Sequence, residues 1–278
     1  MRIFDLHCDT LTSPRGHVLL EHGKLFEQWT QVFAVFVPDT LQGRAAAGRC
    51  EEVIACYHAR LGEICQVCRP ILAIENGNAL MGDLHRLDML AAQGVKIITL
   101  TWNGENELGH GVGCGPQDGL KPFGKQAIAR MFELGIWLDV SHLNEAGFWD
   151  VAAFGRPLLA THACCAAVMP HRRNLSDAQL RAVIASGGLV GLCLCEEFLG
   201  GAGDAQAVAR HLAHMIAMGG EDHVALGSDF DGCDIQASLA GIEKLPGLNK
   251  ALADMGFDEC VREKLFWGNA ARWFAQNT

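Results

Sequence analysis

Hydrophobic positions in this chain of 278 residues gather into eight short runs separated by stretches of helical periodicity. The runs are Arg2–Thr10, Gln31–Val37, Pro70–Glu75, Val95–Trp102, Ile136–Ser141, Leu158–Thr161, Leu189–Cys195 and His223–Ser228. Several are nearly unbroken Val, Ile, Leu and Ala, the composition of parallel strands covered on both faces. Between them the pattern predicts helices over Glu51–Cys65, Asp83–Gln93, Lys125–Leu134, Glu145–Phe154, Asp177–Ser186 and Ala205–Met218. Gly94, Gly135, Gly187 and Gly219 each close a helix before the next strand, and Asp83 and Ser176 stand where N-caps belong. Eight strands alternating with helices, with no linker composition anywhere, predict one α/β domain over residues 1–278, a (β/α)8 TIM barrel. An open doubly wound sheet is the competing arrangement, but no Gly-x-Gly-x-x-Gly follows the first strand.

Barrels carry their chemistry at the C-terminal strand ends, so the polar residues there matter most. The first run presents His7 and Asp9 two positions apart, on one strand face, with Cys8 turned the other way into the core. The third run ends in Glu75, the fifth in Leu138-Asp139-Val140-Ser141-His142, the sixth in Thr161-His162, and the eighth in Gly227-Ser228-Asp229-Phe230-Asp231-Gly232. Five strand ends thus finish in His, Asp or Glu after apolar runs. Gathered on one rim, these groups would be costly to bury unless cations organise them. The mixture of carboxylates and imidazoles suits two divalent ions ~3.5–4 Å apart, sharing one carboxylate and ionising the water between them. Nitrogen and oxygen donors without thiolate favour zinc, with manganese, cobalt or iron compatible. The longest irregular stretches, Pro38–Arg49 and Trp102–Gly124, fall where substrate-contacting loops belong, although composition alone equally allows the second to be a surface excursion.

A formal net charge of -10 with no Lys/Arg run excludes a nucleic-acid binder, and the densest basic cluster, His171-Arg172-Arg173, suits one small anion. The first residues lack a signal-peptide pattern, no segment has the length and apolarity of a membrane span, and the last residues are too polar for an anchor signal. Together these predict a cytoplasmic protein without membrane attachment. The twelve cysteines lie largely in hydrophobic segments, as Cys193 and Cys195 do, and read as small apolar residues. Cys65-x-x-Cys68 sits between a helix end and a strand start with no second pair, and reads as structural.

In combination, His7-x-Asp9, Ile74-Glu75-Asn76-Gly77, Leu138 to His142, Thr161-His162, Arg172-Arg173-Asn174 and Gly227 to Gly232 resemble the renal (membrane) dipeptidase family, peptidase family M19. Its members are binuclear zinc metallopeptidases on an amidohydrolase-like barrel, and the likeness continues to Gly268-Asn269-Ala270-Ala271-Arg272-Trp273-Phe274. The resemblance implies that His7 and Asp9 hold one zinc, that Glu75 bridges both, and that His142 and His162 hold the other. It implies attack on a dipeptide by a metal-bridging hydroxide, with Asp229 carrying the proton to the leaving amine. Arg173, eleven residues after His162, matches the arginine that binds the free C-terminal carboxylate, a pairing that suits guanidinium. A homodimer is implied as well.

Two departures stand out. Many family members read Leu-Thr-His after the fourth strand, with the imidazole assigned to the oxyanion; this chain reads Leu100-Thr101-Trp102-Asn103. Indole only donates, so Asn103, Asn106 and His110 are candidate replacements, and Trp102 is a candidate wall of the substrate pocket. Cys195-Glu196-Glu197 lacks the tyrosine of the animal enzymes. Two other readings remain at this stage. One is a hydrolase of lactones, cyclic amides or phosphoesters, against which Glu75 stands where several such enzymes carry a carboxylated lysine. The other is a metal-binding barrel that has lost turnover through Trp102.

Overall fold

The computed structural model describes residues 1–277. Its strands are β1 (Arg2–Cys8), β2 (Gln28–Phe36), β3 (Arg69–Glu75), β4 (Val95–Thr99), β5 (Trp137–Asp139), β6 (Leu159–Ala163), β7 (Leu189–Leu192) and β8 (Val224–Leu226). Each pairs in parallel with the next, and β8 returns to β1 through Asp5 and Leu226, closing the predicted barrel. The helices are α1 (Gly43–Ile64), α2 (His85–Ala92), α3 (Pro122–Leu134), α4 (Glu145–Ala152), α5 (Asp177–Ala185), α6 (Glu196–Leu199), α7 (Ala205–Ala217), α8 (Leu245–Asp254), α9 (Glu259–Glu263) and α10 (Asn269–Asn277).

Phe4, Leu6, Val32, Ala73, Ile97, Leu159, Leu189 and Ala225 fill the lumen and rest on Trp273 and Phe274 of α10, which plugs the floor. Phe4 stacks on Phe274 with ring centroids 5.0 Å apart, and Trp273 Nε1–H donates to the Gly187 carbonyl at 3.1 Å. A larger apolar layer joins the outer strand faces to the helices, with Cys8 buried in it as expected. With the floor sealed, the open end is the rim where the strands finish.

Helix boundaries differ from the pattern in instructive places. α1 begins at Gly43, absorbing half of the expected Pro38–Arg49 loop, because Ala45-Ala46-Ala47 propagates a helix without an amphipathic signature. α2 begins beyond Asp83, whose Oδ1 accepts the His85 N–H at 2.9 Å, whereas Ser176 caps α5 in a reciprocal capping box with Gln179. Three helices, α8 to α10, follow Met218, where the pattern predicts none. Among the described residues no helix is long and apolar enough to cross a membrane, and all twelve cysteines are free thiols.

Two bulges shape the rim. Asp5 pairs with Gln31 but Cys8 with Phe33, so β1 uses one residue more than β2 over that span. Likewise Ala160 pairs with Val190 and Ala163 with Leu192, one residue more in β6 than in β7. Side-chain parity reverses at each bulge. Ile3 and Cys8 both face outward, as do Ala160 and Ala163, which strict alternation forbids.

Candidate metal centre

Because of those bulges, His7 and His162 turn into the lumen instead of joining the helix-facing layer. Glu75 closes β3 on the same rung as Thr99 and Asp139. His142 and Asp229 lie just past their strands with φ of 67° and 62°, left-handed conformations that cost a non-glycine residue about 1–3 kcal/mol and collect at functional sites. Space for the carboxylates is set by Gly232, where a Cβ would come within 2.2 Å of Asp9 Oδ2 and 2.4 Å of Asp229 Oδ1.

The five expected ligands converge. Glu75 Oε1 lies 2.9 Å from His142 Nε2 and 3.7 Å from His162 Nε2, while its Oε2 lies 3.6 Å from His7 Nε2. His7 Nε2 is 3.4 Å from Asp9 Oδ2. One carboxylate therefore faces two donor sets, Glu75–His142–His162 and His7–Asp9–Glu75. Donors about 2.1 Å from a tetrahedral ion sit about 3.4 Å from one another, which is the spacing here.

Proton positions sharpen the fit. His142 Nδ1 lies 3.0 Å from Asn103 Oδ1, and His162 Nδ1 lies 2.9 Å from Thr161 Oγ1, itself a donor to Asp139. With Nδ1–H donated in both rings, the two Nε2 atoms meet at 2.9 Å with lone pairs facing each other and Glu75 Oε1. Two imidazole lone pairs and a carboxyl oxygen gathered this closely suit a cation. His7 Nε2 and Asp9 Oδ1 point the same way: both are buried with no hydrogen-bond partner.

Electrostatics say the same for the metal-free protein. Burial and then the Asp9 charge push Glu75 up to about 8, and burial pushes Asp229 up to about 6 against the opposing pull of His7. Burial opposes protonation of His7, yet its contacts with Asp9 and Glu75 prevail and hold it well above the usual imidazole range. Burial, with Arg173 and His7 adding to it, holds His142 and His162 well below that range, ready to ligate. Added positive charge would return Glu75 and Asp229, both raised by burial, toward the carboxylate form.

Above the centre opens a cavity of ≈ 1020 Å³ lined by Asp9, Glu75, Trp102, His142, Arg173 and Asp229 among others. Arg173 is 5% exposed, donates from Nη2 to the His162 carbonyl at 3.2 Å, lies over Phe198, and keeps a buried Nε without a partner. Trp102 forms a wall between Phe36 and His142, with ring centroids 5.1 Å and 6.1 Å away. Of the three candidates for the oxyanion, only Asn103 lines the cavity. Asn106 spends its amide on Asn76 and the Leu100 carbonyl, and His110 Nδ1 lies 2.9 Å from the Gly119 carbonyl. Much of Trp102–Gly124 is folded on itself and tied to the segment after β5: a Cβ on Gly111 would sit 2.0 Å from the Trp102 carbonyl, and the Val112 N–H donates to the His142 carbonyl at 2.9 Å. Thr161, Asp139 and Gly232 stand inside the expected motifs, but the sequence alone assigns them no role of their own. The available signal was a carboxylate in mid-strand and a threonine directly before a ligand.

A closed parallel barrel with a two-sided carboxylate and histidine cluster at its C-terminal rim defines a metal-dependent hydrolase. The family model for membrane dipeptidase, peptidase family M19, matches residues 64–278, and the chain belongs to that family of metal-dependent dipeptidases. A protein encoded in the pqqA 5′ region of Klebsiella pneumoniae, itself uncharacterised, is 38% identical over 222 residues, 74% of this chain and 81% of that one. A metallopeptidase from Rhodobacter sphaeroides, solved with a phosphinate mimic of the dipeptide L-Ala-D-Ala, superposes with a TM-score of 0.90 at 28% identity, covering 100% of this chain and 99% of the other. The structure of a dipeptidase of family M19 gives the same TM-score of 0.90 at 30% identity, covering 100% and 98%. His7 and Asp9 precede the family-model match but fall within both structural superpositions.

Proposed function

We propose that this protein hydrolyses dipeptides bearing a free C-terminal carboxylate, using two divalent ions, zinc by ligand type, held by His7, Asp9, Glu75, His142 and His162. The observation that carries the reading is Glu75, whose two oxygens face separate donor sets. When bound, the ions supply a water ionised near neutral pH and a positive field at the scissile carbonyl. Asp229, buried and pushed up to about 6, accepts the proton of the attacking water and returns it to the departing amine. Arg173 anchors the substrate carboxylate in bidentate fashion and so excludes longer peptides. Trp102 and Phe36 form the apolar wall beside the substrate.

The dipeptide mimic bound by the Rhodobacter sphaeroides relative supports a dipeptide in this cavity. Family resemblance supports a homodimer, which light scattering would check. Metal analysis of purified protein, followed by assays on dipeptides, their C-terminal amides, tripeptides, lactones and cyclic imides, tests the reading. Two ions per chain and turnover confined to free dipeptides are expected; one ion, or faster turnover of lactones or imides, would overturn it.

A further inference from the structure

The Thr161 hydroxyl that meets His162 also reaches His7, which makes it a hydrogen-bond hub beneath both donor sets. Thr161 Oγ1 lies 2.6 Å from Asp139 Oδ2, 2.9 Å from His162 Nδ1 and 3.3 Å from His7 Nδ1. The His7 and His162 rings sit 3.9 Å apart, one from each donor set. We propose that the Thr161 hydroxyl, anchored by Asp139, is a positioning group shared by both metal positions, fixing one histidine of each in its ligating tautomer and so tying their affinities together. The proposal rests on the two-ion reading above.

Hydrogen counting leaves one arrangement. Asp139 is fully engaged as an acceptor: Oδ1 takes the Ser141 and Thr161 N–H groups, each at 2.9 Å, and Oδ2 takes the Thr99 and Thr161 hydroxyls, each at 2.6 Å. A carboxylate has no hydrogen to give, so the Thr161 hydrogen points at Asp139. Both lone pairs of the hydroxyl then face the imidazoles, which must donate Nδ1–H, so that Nε2 is the nitrogen each ring offers to a metal. His7, Asp139 and His162 also meet the spacing for a cation of their own. The hydroxyl standing between them, and the four donors already on Asp139, favour the hub instead. His142 lies outside it and takes its orientation from Asn103.

This division gives the test. Thr161→Val keeps the shape and removes the hydroxyl, Thr161→Ser restores it, and Asn103→Ala removes the partner of His142 alone. Asp139→Asn is nearly isosteric and reverses the hub. Its NH2 cannot face the two backbone N–H groups, so it must face the hydroxyls. The Thr161 hydrogen then turns onto a histidine, leaving the proton of that ring on Nε2.

Competition titrations of metal-stripped protein with cobalt and with zinc, read by visible absorption, give a dissociation constant for each ion, while circular dichroism checks the fold. Loss of such outer partners weakens metal binding by about 10- to 100-fold. Thr161→Val is expected to weaken both ions by that order, Thr161→Ser to recover them, Asp139→Asn to weaken at least one, and Asn103→Ala to weaken one only. If Thr161→Val does not fold, Asp139→Asn carries the test, and two unchanged constants in it overturn the hub. Wild type with two ions and a folded Thr161→Val with both constants unchanged also overturns the hub and leaves the two-ion reading standing. Wild type binding fewer than two ions overturns that reading and the hub with it.

Discussion

Replacing Arg173 with methionine removes the group expected to recognise the substrate carboxylate while keeping an unbranched apolar stem. Arg173 as a whole is 5% exposed, so its guanidinium meets an incoming carboxylate with little water between them. It makes one bond to the His162 carbonyl, its Nε has no partner, and its face rests on Phe198 5.3 Å away. Truncating one member of a buried, hydrogen-bonded charge pair costs about 2–5 kcal/mol. At about 1.4 kcal/mol per tenfold, kcat/KM for a free dipeptide should fall roughly 30- to 5000-fold. The discriminating assay is a cycle of two substrates and two enzymes, a dipeptide and its C-terminal amide against wild type and Arg173→Met. Wild type should strongly prefer the acid, the variant should barely distinguish the two, and Arg173→Lys should fall between, because ammonium keeps the charge but loses the fork. Metal content is the control, since Arg173 also holds the His162 backbone. Equal losses on acid and amide would refute carboxylate recognition and reduce Arg173 to a support for His162.

Asp229→Asn should lower kcat by about 10²–10⁴ with metal content intact, and wild-type kcat/KM should show an acid limb no higher than about 6, since bound cations favour the carboxylate; a variant retaining that limb would remove Asp229 from the proton path. Gly232→Ala should displace Asp9 and Asp229 together, weakening metal binding and activity in a protein that still folds; wild-type metal affinity in that variant would contradict the packing. Metal removal should expose a pH-dependent weakness. Glu75, raised by burial to about 8, and His7, also raised, each contribute stability present at low pH and lost as pH rises through the folded value. Chelated protein should therefore melt at a lower temperature at pH 8.5 than at pH 6, with zinc abolishing the difference; a flat profile would mean that the centre is not strained without metal.

The eight strands, their order and the residues that gather at the rim are legible because apolar runs and the polar residues ending them are local signals. The parity reversals are not. His7 and Asp9 were placed on one face by simple alternation, a correct result reached without the bulge that turns that face inward. At β6 the bulge brings Thr161 and His162 close enough for contact although they are adjacent in sequence. Bulges depend on the partner strand, so a single chain read in order does not display them. Trp102 in place of the expected histidine is visible, but its consequence requires geometry: Asn103, one residue on, meets His142, whereas His110 bonds within its own loop and Asn106 ties that loop to Asn76 and the Leu100 carbonyl. Helix α1 was read short because Ala-rich turns carry propensity without periodicity.

The buried carboxylates Asp5 and Asp139 explain how the barrel closes where its ladder is thinnest. Two seams have one ladder position each between their strands, β1 with β8 at Asp5–Leu226 and β5 with β6 at Asp139–Leu159, and the first gains a separate bridge past β8 at Cys8–Phe230. Each seam is sutured by the aspartate at that position. Asp5 accepts the Ser228 N–H at 2.8 Å and the Ser228 hydroxyl at 2.6 Å across the β8 seam, and the Gln31 amide at 2.8 Å on the β2 side. Asp139 accepts from Thr161 across the β6 seam and from Thr99 on the β4 side. Burial opposes the charge on Asp5, and those donors offset part of that cost. Above Asp5 the backbone takes over again, the Asp9 N–H donating to the Phe230 carbonyl at 2.8 Å and the Asp229 N–H to the His7 carbonyl at 3.2 Å, and the His7 and His162 rings meet 3.9 Å apart. The aspartate that sutures the seam at β5 is also the one that holds the Thr161 hydroxyl beneath His7 and His162, so closure of the fold and the arrangement of the rim histidines meet in one residue.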